Sequence, residues 1–154
     1  MTDVLVREVS LAQTRPLRHA VLRPHESEQS LAAAEHEGAF ALGAFAHEEL
    51  VAVGFVAPDG SPGSWRVRGM ATVAHARGKG AGSALLAGLL GHAIAGGAAR
   101  VWCNARTPAR SLYERAGFRV VSEEFEIPGI GPHLVMELSI GGAALERSRP
   151  APGE

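Results

Sequence analysis

The chain is poor in the residues that staple small folds. One cysteine, Cys103, stands among 154 residues, so no internal disulfide forms. A chain of this length buries roughly 70% of the surface it exposes when unfolded, and needs neither a bridge nor a metal to hold a core. An excess of charge is lacking too: 15 Lys and Arg face 16 Asp and Glu, a net charge of −1, which argues against a general nucleic-acid binder. No basic segment followed by an apolar run opens the chain, so a secretory leader is not expected. The unpaired thiol agrees with a reducing, cytoplasmic setting. Only residues 80–99 go without Asp, Glu, Lys and Arg for about 20 residues, the length that spans a bilayer. Six glycines, Ser83 and His92 in that stretch count against a membrane span. Leu85, Leu86, Leu89, Leu90 and Ile94 instead form one apolar stripe of a buried helix. His25, His36 and His47 recur without a short ligand pair, and no metal is expected.

What is present, 46% hydrophobic and 20% charged residues, has the balance of a globular protein. Strands are expected over 4–9, 39–46, 50–57, 65–73, 100–104, 118–127 and 133–140, and helices over 11–22, 26–35, 80–95 and 108–116. That order predicts one α/β domain over 1–140, a mixed, mostly antiparallel seven-stranded sheet with helices on both faces. The tail 141–154 carries Gly-Gly, Arg-Ser-Arg-Pro and Ala-Pro-Gly and is expected to be disordered. Charge is unevenly spread along the chain. From Asp59 to Val120 nine cationic side chains meet two carboxylates, a net +7, and the remainder carries −8. Such asymmetry marks a site for a charged partner when a phosphate-binding motif lies inside it.

Such a motif is present. Met70-Ala71-Thr72-Val73-Ala74-His75-Ala76-Arg77-Gly78-Lys79-Gly80-Ala81-Gly82-Ser83 follows a strand and opens the apolar helix. Glycines there let the backbone approach a ligand, and free amides at a helix start form an anion site. A P-loop is excluded by Val73, where its first glycine belongs, and by Gly80, where its hydroxyl belongs; a dinucleotide fingerprint would need glycine at Ser83 or Leu85. Arg77, Gly80 and Gly82 instead fit Arg/Gln-x-x-Gly-x-Gly/Ala. Together with Ser111-Leu112-Tyr113-Glu114-Arg115-Ala116-Gly117-Phe118, they resemble the GNAT superfamily of acyl-CoA-dependent N-acetyltransferases, over roughly residues 4–140.

The resemblance implies a GNAT-like fold whose central strands splay between Met70–Val73 and Arg100–Asn104. It implies transfer of an acetyl group from acetyl-CoA to a primary amine by direct attack. It places the coenzyme A pyrophosphate on Arg77, Gly78, Lys79, Gly80, Ala81, Gly82 and Ser83, where Lys79 is the only lysine in the chain, and the pantetheine along Met70, Ala71 and Thr72. Ala109 falls on the cofactor side. Tyr113, the sole tyrosine, faces the sulfur as general acid, because a phenol is protonated at neutral pH. Many members have Asn seven residues before this Tyr; here Arg106 stands there and Asn104 two residues earlier, so either one is a candidate polar contact to the cofactor. The strand Trp65-Arg66-Val67-Arg68-Gly69-Met70 has no carboxylate to serve as base. The candidates move to Glu123, Glu124, Glu126 and His133, with Glu124 and His133 preferred as catalytic residues, or to a water relay. The family's first helices and last strands form the acceptor side. Glu26, Glu28, Glu35 and Glu37 before the basic stretch, and the three late glutamates after it, therefore imply a cationic amine, on a small molecule or a peptide. A homodimer is also compatible. The missing strand carboxylate and Arg106 suggest one alternative, a non-catalytic acyl-CoA-binding module, and the glycine loop another, a nucleotide-binding regulatory domain that ATP rather than acetyl-CoA would stabilise. Cys103, Trp65 and Trp102 are expected to pack in the core.

Overall fold

A computed structural model describes residues 4–36 and 38–141. The tail expected beyond Gly141 lies outside the described residues, as does Glu37. Leu5–Val9 forms β1 and Leu11–Leu22 forms α1, whose start is fixed by a capping box: the Ser10 hydroxyl accepts from the Gln13 amide, and the Gln13 side chain accepts from the Ser10 amide. Glu28–Ala33 (α2) starts on Ser27. Phe40–Ala46 (β2) and Glu49–Pro58 (β3) are joined at His47 and Glu48, both at positive φ, the two-residue turn that matches strand twist. Then come Ser64–Thr72 (β4), Ala81–Ala95 (α3), Arg100–Arg106 (β5), Arg110–Arg115 (α4), Arg119–Val120 (β6), Phe125–Ile127 (β7) and Gly131–Ser139 (β8).

The strands form one sheet in the order β1-β2-β3-β4-β5-β8-β6, with β7 also on β8, which makes eight strands rather than seven. The expected single strand 118–127 is two short ones. Between them the Ser122 hydroxyl, not a backbone carbonyl, accepts from the Val135 amide at 2.9 Å, so the ladder is interrupted there. All pairings are antiparallel except β4 with β5.

One face of the sheet carries α3 and α4, the other α1 and α2. Leu85, Leu86 and Leu89 are buried in the main core with Val56, Val67, Val101 and Met136. Ile94, expected in that stripe, is 48% exposed in the last turn of α3. Gly88 lets α3 pack close on β2, since a Cβ there would lie 2.6 Å from a Leu42 methyl, which would have to shift to admit alanine. Cys103, 1% exposed, packs in this core, and burial pushes its thiol up to about 12. Trp102, unlike Trp65, stands on the opposite face of β5, its ring centroid 4.5 Å from the Arg66 guanidinium carbon. No helix among the described residues is long and apolar enough to cross a membrane.

Candidate active site

Two backbone irregularities open the sheet at its centre. The parallel ladder between β4 and β5 covers only Ser64, Trp65 and Arg66 against Arg100, Val101 and Trp102. Beyond Arg66 the two strands part, and the β5-facing edge of Val67–Thr72 has no strand beside it. The register of β3 against β4 also slips, because Val53 faces Ala71 while Phe55 faces Arg68. The extra residue falls at Gly69 and Met70, a bulge that needs the positive φ of Gly69 (+68°) and leaves no room for a Cβ, which would lie 2.7 Å from the Phe55 ring. The splay runs beside Met70–Thr72 as the resemblance implies, but Arg100–Trp102 are still paired with β4, so its β5 wall begins at Cys103 and not at Arg100.

At the far end of β4, a 3₁₀ turn over Ala74–Ala76 leads into the loop before α3. Gly78 (φ +78°) and Gly80 (φ +88°) turn the chain so that the amides of Gly78 through Ser83 have no acceptor among the described residues. The first bonded amide is Ala84, to the Gly80 carbonyl at 3.0 Å. A row of free N–H groups at the start of a 15-residue helix is an anion cradle. Arg77 is drawn back, its Nε donating to the Thr72 carbonyl at 3.1 Å, and Lys79 is exposed. The three glycines of the loop differ in what they do. Gly82 is helical, with its nearest neighbours 3.7 Å from where a Cβ would stand, whereas Gly80 requires its positive φ. Gly80→Ala is therefore expected to lose about 1–2 kcal/mol of stability, and Gly82→Ala to lose none, as thermal unfolding will show.

On the α1 side the splay opens into a cavity of 240 Å³. Tyr113, Asn104, Ala109 and His133 line it, together with Met70 and Arg106. Tyr113 comes from α4, which ends in a Schellman turn: Gly117 takes φ +101° and the Phe118 amide bonds back to the Tyr113 carbonyl at 3.0 Å. The Phe118 ring packs edge-on to Tyr113 at 5.4 Å. Together Gly117 and Phe118 fix the ring. The Tyr113 hydroxyl has no hydrogen-bond partner among the described residues, and burial, with Cys103 adding, holds its pKa well above the usual phenol value. His133, 4% exposed on β8, brings its Nδ1 to 2.8 Å from the Gly131 carbonyl. A carbonyl only accepts, so in the neutral ring Nδ1 carries the hydrogen and Nε2 keeps a free lone pair.

Several expected site residues lie elsewhere. Glu124 is exposed outside the cavity, its carboxylate held by the Thr107 hydroxyl at 2.8 Å, and Glu123 and Glu126 are exposed as well. Asn104 and Arg106 alternate on β5 with the core residues Cys103 and Ala105, so both face the cavity rather than the α3 loop. Arg106 donates to the Leu22 carbonyl at the end of α1, at 2.7 Å, and burial lowers its pKa, with Arg23 and Arg77 adding.

Among the described residues the glutamates do not build the acidic acceptor wall that they implied. Arg18, Arg23, Arg66, Arg68 and Arg106 line the cavity against one carboxylate, Glu26, which pairs with Arg23 at 2.9 Å. Glu35 is spent on Arg15 and Arg18, and Glu28 is exposed. Spacing along the chain gave no sign of this, because Arg66 and Arg68 alternate into the cavity from a strand that looked like part of the phosphate side.

A family model described as "Acetyltransferase (GNAT) domain" matches residues 7–140. The uncharacterized N-acetyltransferase YitI of Bacillus subtilis is 38% identical over 138 residues, covering 85% of this chain and 93% of that protein. Among solved structures, the ribosomal-protein-S18-alanine N-acetyltransferase of Escherichia coli superposes with a TM-score of 0.71 at 18% identity, covering 99% of each chain. A Bacillus subtilis acetyltransferase in complex with CoA superposes with a TM-score of 0.67 at 18% identity, covering 91% of this chain and 99% of that one.

Proposed function

Because the chain belongs to the GNAT acetyltransferase family and is an N-acetyltransferase using acetyl-CoA, we propose that its cleft passes the acetyl group directly to a primary amine, with Tyr113 as general acid and His133 as general base. The residues present fit the co-substrate. The free amides of Gly78 through Ser83 suit a pyrophosphate, and the unpaired edge of Met70, Ala71 and Thr72 suits the amides of a pantetheine arm. When bound, acetyl-CoA supplies an activated acetyl thioester.

The chain's own groups then move two protons. His133 takes one from the attacking amine through Nε2, as the N–C bond forms. Tyr113 gives its hydroxyl proton to the sulfur as the C–S bond breaks. Both lie on the walls of one cavity, and Tyr113 brings a hydroxyl that no group among the described residues engages, which is the observation that carries this reading. Glu124, outside the cavity, has no part in it.

The test is free-thiol release from acetyl-CoA over a panel of primary amines, with CoA affinity measured alongside by calorimetry. Wild type should bind CoA and release thiol with at least one amine, and His133→Gln should lose about 10²-fold or more in kcat at unchanged CoA affinity. CoA binding without thiol release from any amine would return the chain to a non-catalytic binding module.

A further inference from the structure

The charge on the acceptor wall of the cavity is larger than its own carboxylates balance. Arg23 has Glu26, and Arg18 has Glu35, whose side chain is 5% exposed. Arg66, Arg68 and Arg106 make no ion pair among the described residues. Each is held only by neutral groups. Arg68 donates one Nη hydrogen to the Ala34 carbonyl at 3.2 Å, Arg106 donates one to Leu22, and Arg66 stacks on Trp102 while its Nε is buried with no acceptor. A guanidinium carries five N–H donors in a planar fork, so most of the donors on this wall remain uncommitted. Burial lowers the Arg68 pKa, with Arg66 and Arg18 next, so the cluster sits in a desolvated place and its members repel one another.

Such an arrangement costs stability unless a ligand repays it, and the ligand must be an anion that accepts from a fork. The phosphates of the co-substrate do not fill this role at Arg66 and Arg68. These lie six and four residues before Thr72 on a strand that rises about 3.3 Å per residue, roughly 20 and 13 Å from the end of β4, and the amide cradle begins beyond that end, at Gly78. The wall instead faces the same cavity as Tyr113 and His133, on the α1 side.

We propose that the acceptor is a small amine bearing a carboxylate, an amino acid in the broad sense, whose carboxylate is held by Arg66 and Arg68 while its amine is presented to His133. This assignment rests on the acetyl-transfer reading above, but the arginine wall can be tested apart from it. Arg106 completes the wall from β5, opposite His133 in the β5–β8 register. The expectation of a cationic acceptor is thereby reversed: of the glutamates that suggested it, Glu26 and Glu35 neutralise Arg15, Arg18 and Arg23, and Glu28, Glu123, Glu124 and Glu126 do not line the cavity.

The experiment pairs α-, β- and γ-amino acids with their own carboxamides, so that only the anionic group differs. Calorimetric titration of both members into the CoA-loaded protein reads binding without turnover, and thiol release reads transfer. For at least one pair the acid should bind tenfold or more tightly than its amide and have the higher kcat/KM. Arg68→Gln and Arg66→Gln should each erase that preference at unchanged CoA affinity, and Arg68→Lys should restore part of it. Equal or tighter binding of the amide in every pair overturns the proposal. So does tenfold tighter binding of O-phosphoethanolamine than of any carboxylate, which would reassign the wall to phosphate. Were thiol never released, the acyl-transfer reading would fall, and the acid-over-amide binding would still decide the wall.

Discussion

Replacing Tyr113 by Phe should lower kcat by about 10²- to 10⁴-fold, the span a positioned acid contributes, while CoA affinity and folding stability stay near wild type. The substitution is selective because the ring does the packing and the hydroxyl does not. Tyr113 is 5% exposed and lies edge-on to Phe118 at 5.4 Å, contacts that Phe keeps. Its hydroxyl engages no group among the described residues, so removing it leaves no buried partner orphaned, the usual source of a large penalty. The loss should therefore appear in thiol release and not in thermal unfolding. Burial holds the phenol protonated well past the ordinary value near 10. Wild-type kcat should accordingly show no alkaline decline from this group up to that pH. Full activity in Tyr113→Phe would remove the residue from the mechanism.

The parts of this site that sequence made legible are those in which local chemistry dictates geometry. Gly78 and Gly80 had to be glycine for their positive φ, and the free amides follow from a helix that starts without a capping side chain. Gly117-Phe118 fixes Tyr113 for the same kind of local reason. What stayed hidden depends on which face of a strand a residue occupies and on partners distant in sequence. The bulge at Gly69 and Met70 sets how β4 presents its side chains, and Arg66 and Arg68 read equally well as solvated or as phosphate-directed until that bulge is located. Glu35 meets Arg15 and Arg18 across 20 and 17 residues, and Arg106 meets Leu22 across 84. A run of charges therefore reported its sum correctly and its location wrongly: the basic stretch serves both sides of the sheet, and of the acidic flanks Glu26 and Glu35 are spent on Arg15, Arg18 and Arg23. The missing eighth strand has a similar cause, a single serine hydroxyl replacing a backbone acceptor.

Glu35→Gln should destabilise the protein by about 3–5 kcal/mol at neutral pH, because it removes one partner of a buried ion pair and leaves the other. The carboxylate receives two hydrogen bonds from Arg15, at 3.0 and 2.9 Å, and one from Arg18, tying the segment after α2 to α1. Arg18 is itself 5% exposed, held by the Thr14 hydroxyl at 3.1 Å and stacked over Phe55, close to Arg68. Without Glu35 its charge joins a wall that already lacks carboxylates. The acid dependence identifies the cause. Burial alone would raise the Glu35 pKa, but the hydrogen bonds and charges of Arg15 and Arg18 outweigh it and hold the carboxyl below its ordinary value. A group whose folded pKa is depressed stabilises the protein above its unfolded pKa, near 4.3, and loses that contribution as pH falls through the folded value. Urea unfolding at pH 7 and again below pH 4 should therefore show the gap between wild type and Glu35→Gln shrinking in acid. A gap that stays constant would assign the loss to packing and would mean that the Glu35 carboxylate does not offset the charge of Arg18.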